Sequence, residues 1–227
     1  MTKKLLAAMF AVGFVLSVAS QSMAALVTSR HNFGSTGGNW AVGPDGAEIQ
    51  MCVACHTPHN ANLSQVPLWN HDDSAAGFTA YNDPGGTMDA VAGVPTGISL
   101  ACMSCHDDVT NVDAYGQFSP GTVRISDPTI NTTPGTIVGT DLTNDHPISF
   151  DYSTALTDPE IWPLATATPL GGTIESDLLF GTVPNKTVEC ASCHDVHNGP
   201  EAVAAGSGYL LRVSMADSLL CLTCHNK

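Results

Sequence analysis

The sequence predicts a mostly irregular chain: coil with short helices and little β structure, organised by something other than a conventional protein core. Three observations predict this. The spacers are rich in Gly, Pro, Ser, Thr and Asn, as in SPGTVRISDPTINTTPGTIVGTDLTNDHP, and such runs form turns and extended segments rather than long helices. Eight cysteines fall into four pairs of one spacing, each pair followed at once by histidine. Loops this long are also out of place in a compact domain unless a bound group organises them.

The chain opens MTKKLLAAMFAVGFVLSVASQSMA. Lys3 and Lys4 form a short positive region, Leu5 to Val18 an apolar core, and Ser22-Met23-Ala24 a small-residue cleavage site. That layout predicts a secretory signal peptide over residues 1–24 and a mature domain over 25–227. The apolar run is short of a spanning length, and no later segment is apolar enough to cross a bilayer. No cysteine near the cleavage site offers a lipid attachment point. The expected location is therefore outside the cytoplasm: secreted, at the cell surface or beyond it, or alternatively in the periplasm.

Removing Lys3 and Lys4 leaves five basic residues, Arg30, Arg124, Lys186, Arg212 and Lys227, against twenty-one acidic ones. Nucleic acid is excluded as a partner, because its phosphates need Lys and Arg. Such a field suits cationic surfaces or basic partners in a salt-dependent way, and it also keeps a protein soluble.

The four pairs are Cys52/Cys55/His56, Cys102/Cys105/His106, Cys190/Cys193/His194 and Cys221/Cys224/His225. We number these sites 1 to 4. Sites 1 and 3 share one form, CVACHTPHN and CASCHDVHN; sites 2 and 4 share another, SLACMSCH and SLLCLTCH. The chain thus reads as a duplicated unit, about 25–106 and 189–227, joined by a long Gly/Pro/Thr-rich segment of roughly 107–188.

C-x-x-C-H is the attachment signature of c-type haem. Residues i and i+3 of a helical turn lie on one face, so both sulfurs can reach the two vinyl groups of one porphyrin. The histidine at the next position then sits over the ring and can ligate the iron. Zinc also uses C-x-x-C, but it needs four converging ligands and no histidine at that place. Disulfides need none either. Histidine makes up 9 of 227 residues. Its occurrence after all four pairs by accident has odds of roughly a few in a million. The expected cofactors are four c-type haems, with the eight cysteines as attachment points and His56, His106, His194 and His225 as proximal iron ligands.

Five histidines remain as distal candidates, His59, His197, His146, His31 and His71, of which four are needed. Methionine would raise a haem's potential, but Met51 and Met103 sit beside or inside the motifs and are expected to pack. Bis-histidine ligation at every site is the simplest account. His59 stands three residues after His56, with Pro58 between. A porphyrin cannot fit between side chains so close in sequence, so His59 as a ligand must serve a different, neighbouring haem. His197 repeats the argument beside His194. His146 precedes Pro147 and so sits in extended chain, free to project onto a distant ring. His31 lies near the start of the mature chain, where an arm is mobile unless docked. The aromatic residues Trp40, Trp69, Trp162, Tyr81, Tyr152 and Phe150 are expected to pack against porphyrin faces or loops.

These elements, CVACHTPHNANLSQVPLWNH, SLACMSCHD, NDHPISFDY, VECASCHDVHNGP and SLLCLTCH, resemble the multihaem c-type cytochromes with doubled C-x-x-C-H motifs. Within that group the chain looks most like the tetrahaem subunits that polymerise into extracellular cytochrome filaments, or nanowires, of metal-reducing bacteria. The resemblance implies loop-rich subunits, haems alternating between stacked and T-shaped contacts, and bis-histidine ligation. It also implies a homopolymer in which one haem takes a ligand from the adjacent subunit, with His31 the natural candidate. Other redox proteins or extracellular acceptors would be the remaining partners.

The expected function is electron transfer without substrate chemistry, since six-coordinate haems have no open position. A monomeric periplasmic shuttle is the alternative, and a multihaem reductase would need one vacant haem face. Without haem the chain is expected to be largely unfolded, as small metal-dependent domains are.

Overall fold

The structure is a computed structural model and describes residues 26–27, 29–34, 50–63, 67–82, 85–127, 137–197 and 210–227. The expected signal peptide (1–24) and Trp40 lie outside the described residues. Most of the described chain is coil and turn. Its helices are short: α1 Gly97–His106, α2 Ile174–Asp177, α3 Cys190–Cys193 and α4 Leu219–Cys224. Three of these four are built on C-x-x-C-H motifs. No helix among the described residues is long and apolar enough to cross a membrane.

Helix α1 follows Pro95 and an extended Thr96 (φ −132°, ψ 170°), and its first internal bond runs from the Leu100 N–H to Thr96 O at 3.1 Å. It buries Ser99, Ala101, Met103 and Ser104 and packs across α3. Asp107 ends it. The Asp107 carboxylate accepts from the N–H groups of Val109 (2.8 Å) and Thr110 (2.9 Å), which turns the chain away from the helix axis.

The joining segment is more than a linker. Strand β1 Phe150–Asp151 pairs antiparallel with β2 Thr187–Val188, in the register Phe150↔Val188 and Asp151↔Thr187. Phe150, Tyr152, Ile174, Leu179, Val188 and Ala90 form a buried apolar cluster, with Met88, Trp162, Leu164 and Cys224 packed around it. Ile174 is fully enclosed and opens α2, whose first turn is locked by a reciprocal Thr173–Ser176 capping box. Phe180 and Thr187 exchange backbone hydrogen bonds (3.0 and 2.9 Å) across a tight connection. That connection starts at Gly181 (φ +86°), where a Cβ would stand 2.8 Å from Asn185 O, so only glycine fits. Composition alone reads this region as loop, because its apolar residues are spaced at neither a helical nor a strand period.

This cluster positions two of the sites. Val188 leads directly into Glu189 and α3, and the Trp162 N–H donates to Cys224 O at 2.9 Å, fixing the end of α4. Site 2 is carried by α1 against α3. Site 1 is held by the segment 67–72, which pairs with 114–116 through Asp72 N–H to Ala114 O (2.8 Å) and Gly116 N–H to Asn70 O (3.1 Å).

Candidate functional site

Each C-x-x-C-H motif forms one turn of helix. The His56 N–H donates to Cys52 O at 2.8 Å, that of His194 to Cys190 O at 3.1 Å and that of His225 to Cys221 O at 2.9 Å, while site 2 closes α1. Two sulfurs therefore share a face at every site, with the imidazole one step further round. No two of the eight cysteines are joined in a disulfide. Burial pushes Cys55 and Cys105 up to about 12 and Cys224 up to about 11. A hydrogen bond between the Cys102 and Cys190 thiols raises Cys102 above and holds Cys190 below the ordinary thiol range, and it brings sites 2 and 3 edge to edge.

Sites 1 and 3 are repeated in backbone as well as in sequence. At site 1 the Asn70 N–H donates to Cys55 O (2.9 Å) and the Thr57 N–H to Leu68 O (2.9 Å). At site 3 the Arg212 N–H donates to Cys193 O (2.8 Å) and the Asp195 N–H to Leu210 O (2.7 Å). The side chain of the same strap residue then reaches back into the turn: Asn70 Nδ2 donates to Val53 O at 2.6 Å, and Arg212 Nε to Ala191 O at 2.5 Å. Leu68 (φ +60°) and Leu210 (φ +51°) take the same left-handed conformation in the two straps. These straps hold the carbonyls that a single isolated turn leaves without partners. The sequence reading missed Asn70 and Arg212, and the available signal was faint: a leucine two residues before each, at unequal distances from the motifs.

Six of the imidazoles come in close pairs. His56 and His197 have ring centres 6.1 Å apart with planes at 23°. For His31 and His106 the values are 6.0 Å and 45°, and for His146 and His225 they are 6.4 Å and 78°. Each pair joins one motif histidine to one spare histidine. An iron held between two imidazoles, at about 2 Å from each nitrogen and about 1.1 Å more to each ring centre, sets those centres about 6 Å apart. The spacing fits the group that the motifs imply.

Protonation fits it too. His56 Nδ1 faces Pro67 O at 3.2 Å and His146 Nδ1 faces Pro147 O at 2.9 Å. A carbonyl there holds the proton on Nδ1 and leaves Nε2 as the lone-pair nitrogen, the arrangement found behind metal-bound histidine. His31 is lowered to about 4 by burial, with His106, His194 and His197 adding to the effect, and its Nδ1 is enclosed without a hydrogen-bond partner. It is neutral at any ordinary pH, as a ligand must be. Burial, and then His146, also lower His225.

His71 differs from the others. It is 2% exposed, with Nδ1 against Asp72 O (2.9 Å) and Nε2 against Val112 O (3.2 Å) and the Cys105 sulfur (3.5 Å). Both of its nitrogens are occupied by protein. The ring of His59 is exposed on the turn after His56, and His194 is likewise exposed.

Site 3 opens onto a cleft with about 200 Å³ of free space. Met103, Val138, Leu142, Ile148 and Val188 make its apolar wall, and Cys190, Cys193, His194 and His146 face into it. Two thiols and a motif imidazole beside an apolar wall are the donor set that a c-type haem would use. Among the described residues no three of His, Cys, Asp and Glu converge into a closed cation cage. No protein-family model matches the chain, and no curated protein matches it.

Proposed function

We propose that the protein is a tetrahaem c-type cytochrome with bis-histidine ligation at each site, an electron carrier rather than an enzyme. The observation that carries this reading is the set of three imidazole pairs at 6.0–6.4 Å, each linking a C-x-x-C-H histidine to one from elsewhere in the chain. The distal ligands follow: His197 for site 1, His31 for site 2 and His146 for site 4. The repeat supplies the fourth, because His197 of the third motif serving site 1 calls for His59 of the first motif to serve site 3. His71 is the histidine outside the set. When bound, each haem supplies a one-electron ferric/ferrous couple. The chain's own residues clamp sites 1 and 3 by this crossed ligation, dock site 2 on site 3 through α1 and α3, and close both faces of each iron to substrate.

We further propose a homopolymer outside the cell, an extracellular filament passing electrons to external acceptors; its support is the resemblance of the motifs to cytochrome-filament subunits. A self-contained shuttle in the periplasm is favoured by one observation, the His31 ring seated on His106 of its own chain. In a filament that arm would instead serve the next subunit.

Covalent mass and ferric spectra of the purified protein test the haem reading: four haems, all low-spin, are expected. A high-spin signal with rapid carbon monoxide binding would point to an open site and a reductase. Electron microscopy of haem-bearing material sheared from cells, with a sizing run beside it, tests assembly. Haem-staining filaments that disappear in His31→Ala, with four haems still attached, support the polymer. A uniform monomer with one high-spin haem in that variant supports the shuttle.

A further inference from the structure

Two carboxylates stand beside attachment turns in the interior. Glu189 immediately precedes Cys190 and is 3% exposed; Asp107 immediately follows His106 and is 1% exposed. Glu189 lines the site 3 cleft. It accepts from the Ser99 hydroxyl, from the Ser149 hydroxyl at 2.9 Å and from the Ser192 N–H of the capping box. The Ser99 oxygen already accepts from the Cys190 N–H at 2.9 Å, so its single proton is committed to Glu189. Asp107 accepts from the Ser74 hydroxyl (2.5 Å), the Thr110 hydroxyl (2.9 Å) and the Val109 and Thr110 N–H groups. Every hydrogen bond to these two carboxyls comes from a donor, so each acts as an acceptor there. Among the described residues the ion pairs lie elsewhere, Arg212 with Asp195 and Lys227 with Glu160. Among the described residues neither buried carboxyl has a salt bridge to Lys or Arg.

The duplication provides its own comparison. The residue before the first cysteine is Glu189 at site 3 but Met51 at site 1. The residue after the motif histidine is Asp107 at site 2 but Asn226 at site 4. Each acid thus sits at one copy of a position that is uncharged in the other copy. We call sites 2 and 3 the inner pair, because their helices α1 and α3 pack together and the first cysteine is half-buried at both, whereas Cys52 of site 1 and Cys221 of site 4 are exposed.

We propose that Asp107 and Glu189 are potential-setting residues, holding the inner sites 2 and 3 at lower reduction potentials than the outer sites 1 and 4. A fixed negative charge in a low-dielectric interior stabilises the more positive ferric state over the ferrous one. Electrons added to the protein then settle first on sites 1 and 4, the two whose first cysteine is exposed, and cross the inner pair as a barrier. The inference rests on the haem reading above.

Spectroelectrochemical titration of the haem-loaded protein tests it, with covalent mass and low-spin spectra checking the haem reading separately. Glu189→Gln and Asp107→Asn are each expected to raise one of the two lowest waves and leave the upper two in place; the double variant raises both. Glu189→Asp, which keeps the charge, leaves its wave low. The proposal is overturned if four-haem variants show no shift, if all waves move together, or if an upper wave is the one that moves. Should the neutral variants fail to mature, the native protein still decides. Buried charge escapes salt screening, so the two lowest waves hold their position between low and high salt. Lowest waves that climb with salt as much as the upper ones would assign the ordering to surface acids and sink the idea.

Discussion

At the scale of single residues, what separates a ligand histidine from a structural one is the fate of its second nitrogen. His56 and His146 each give one nitrogen to a carbonyl, whereas His71 has both against carbonyls. His71→Leu is therefore expected to keep four low-spin haems while costing about 1–3 kcal/mol through the one buried carbonyl that loses the imidazole N–H. A spectrum and a thermal melt of one preparation check both parts; a high-spin signal would return His71 to the ligand set. His31 sets a pH limit. Its folded value of about 4 lies below the ordinary 6.5, so its contribution is complete above pH 6.5 and is lost as pH falls through about 4. The proposed iron ligation would lower the folded value further and move the loss to lower pH. Acid titration followed in the ferric spectrum should show one haem turning high-spin no higher than this window, and none turning on the alkaline side.

At the scale of elements, a turn of five residues cannot hold its own geometry, because a nucleus that short is costly. The straps supply what propagation would supply in a longer helix. Arg212 does three things for site 3: its Nε reaches Ala191 O, its guanidinium pairs with Asp195 at 3.7 Å, and it lies 5.9 Å from the Phe180 ring centre. Arg212→Met keeps much of the stem packing and loses the charge-assisted bond, at a cost of about 2 kcal/mol. Thermal unfolding followed at the haem band measures it, and the partner variant Asn70→Leu should weaken site 1 in the same way. Crossed ligation makes a second prediction at this scale. His197→Ala should disturb site 1 rather than its own motif's site 3, so a site 3 signal that changes alone would undo the assignment.

At the scale of the molecule, the apolar cluster around Ile174 is confined mainly to 150–190, while sites 1 and 2 bury Ala54, Trp69, Ala101, Met103 and Tyr115 outside it. Ordering roughly 200 residues takes far more burial than that cluster provides. The haem-free chain is accordingly expected to give a far-UV circular dichroism spectrum of coil and no cooperative melt; a native-like spectrum would show that the protein core suffices. Ile174, fully enclosed, is the residue on which the cluster depends most, and Ile174→Ala should cost about 2–4 kcal/mol in the haem-loaded protein.

Spacing along the chain gives the four motifs and the residues proposed to attach a haem at each, and it determined the single-turn geometry of each motif. The i, i+3 and i+4 relations of one helical turn are local, and any chain that forms the turn obeys them. The same local logic showed that His59 and His197 cannot serve the sites beside them. Tertiary structure decided the rest. It set which ring faces which, seated His31 on His106, turned His71 inward, placed the straps of Asn70 and Arg212, and buried Asp107 and Glu189 beside the inner sites. Those outcomes join residues far apart in sequence, and they follow from long-range packing that no periodicity in a Gly-, Pro- and Thr-rich chain encodes.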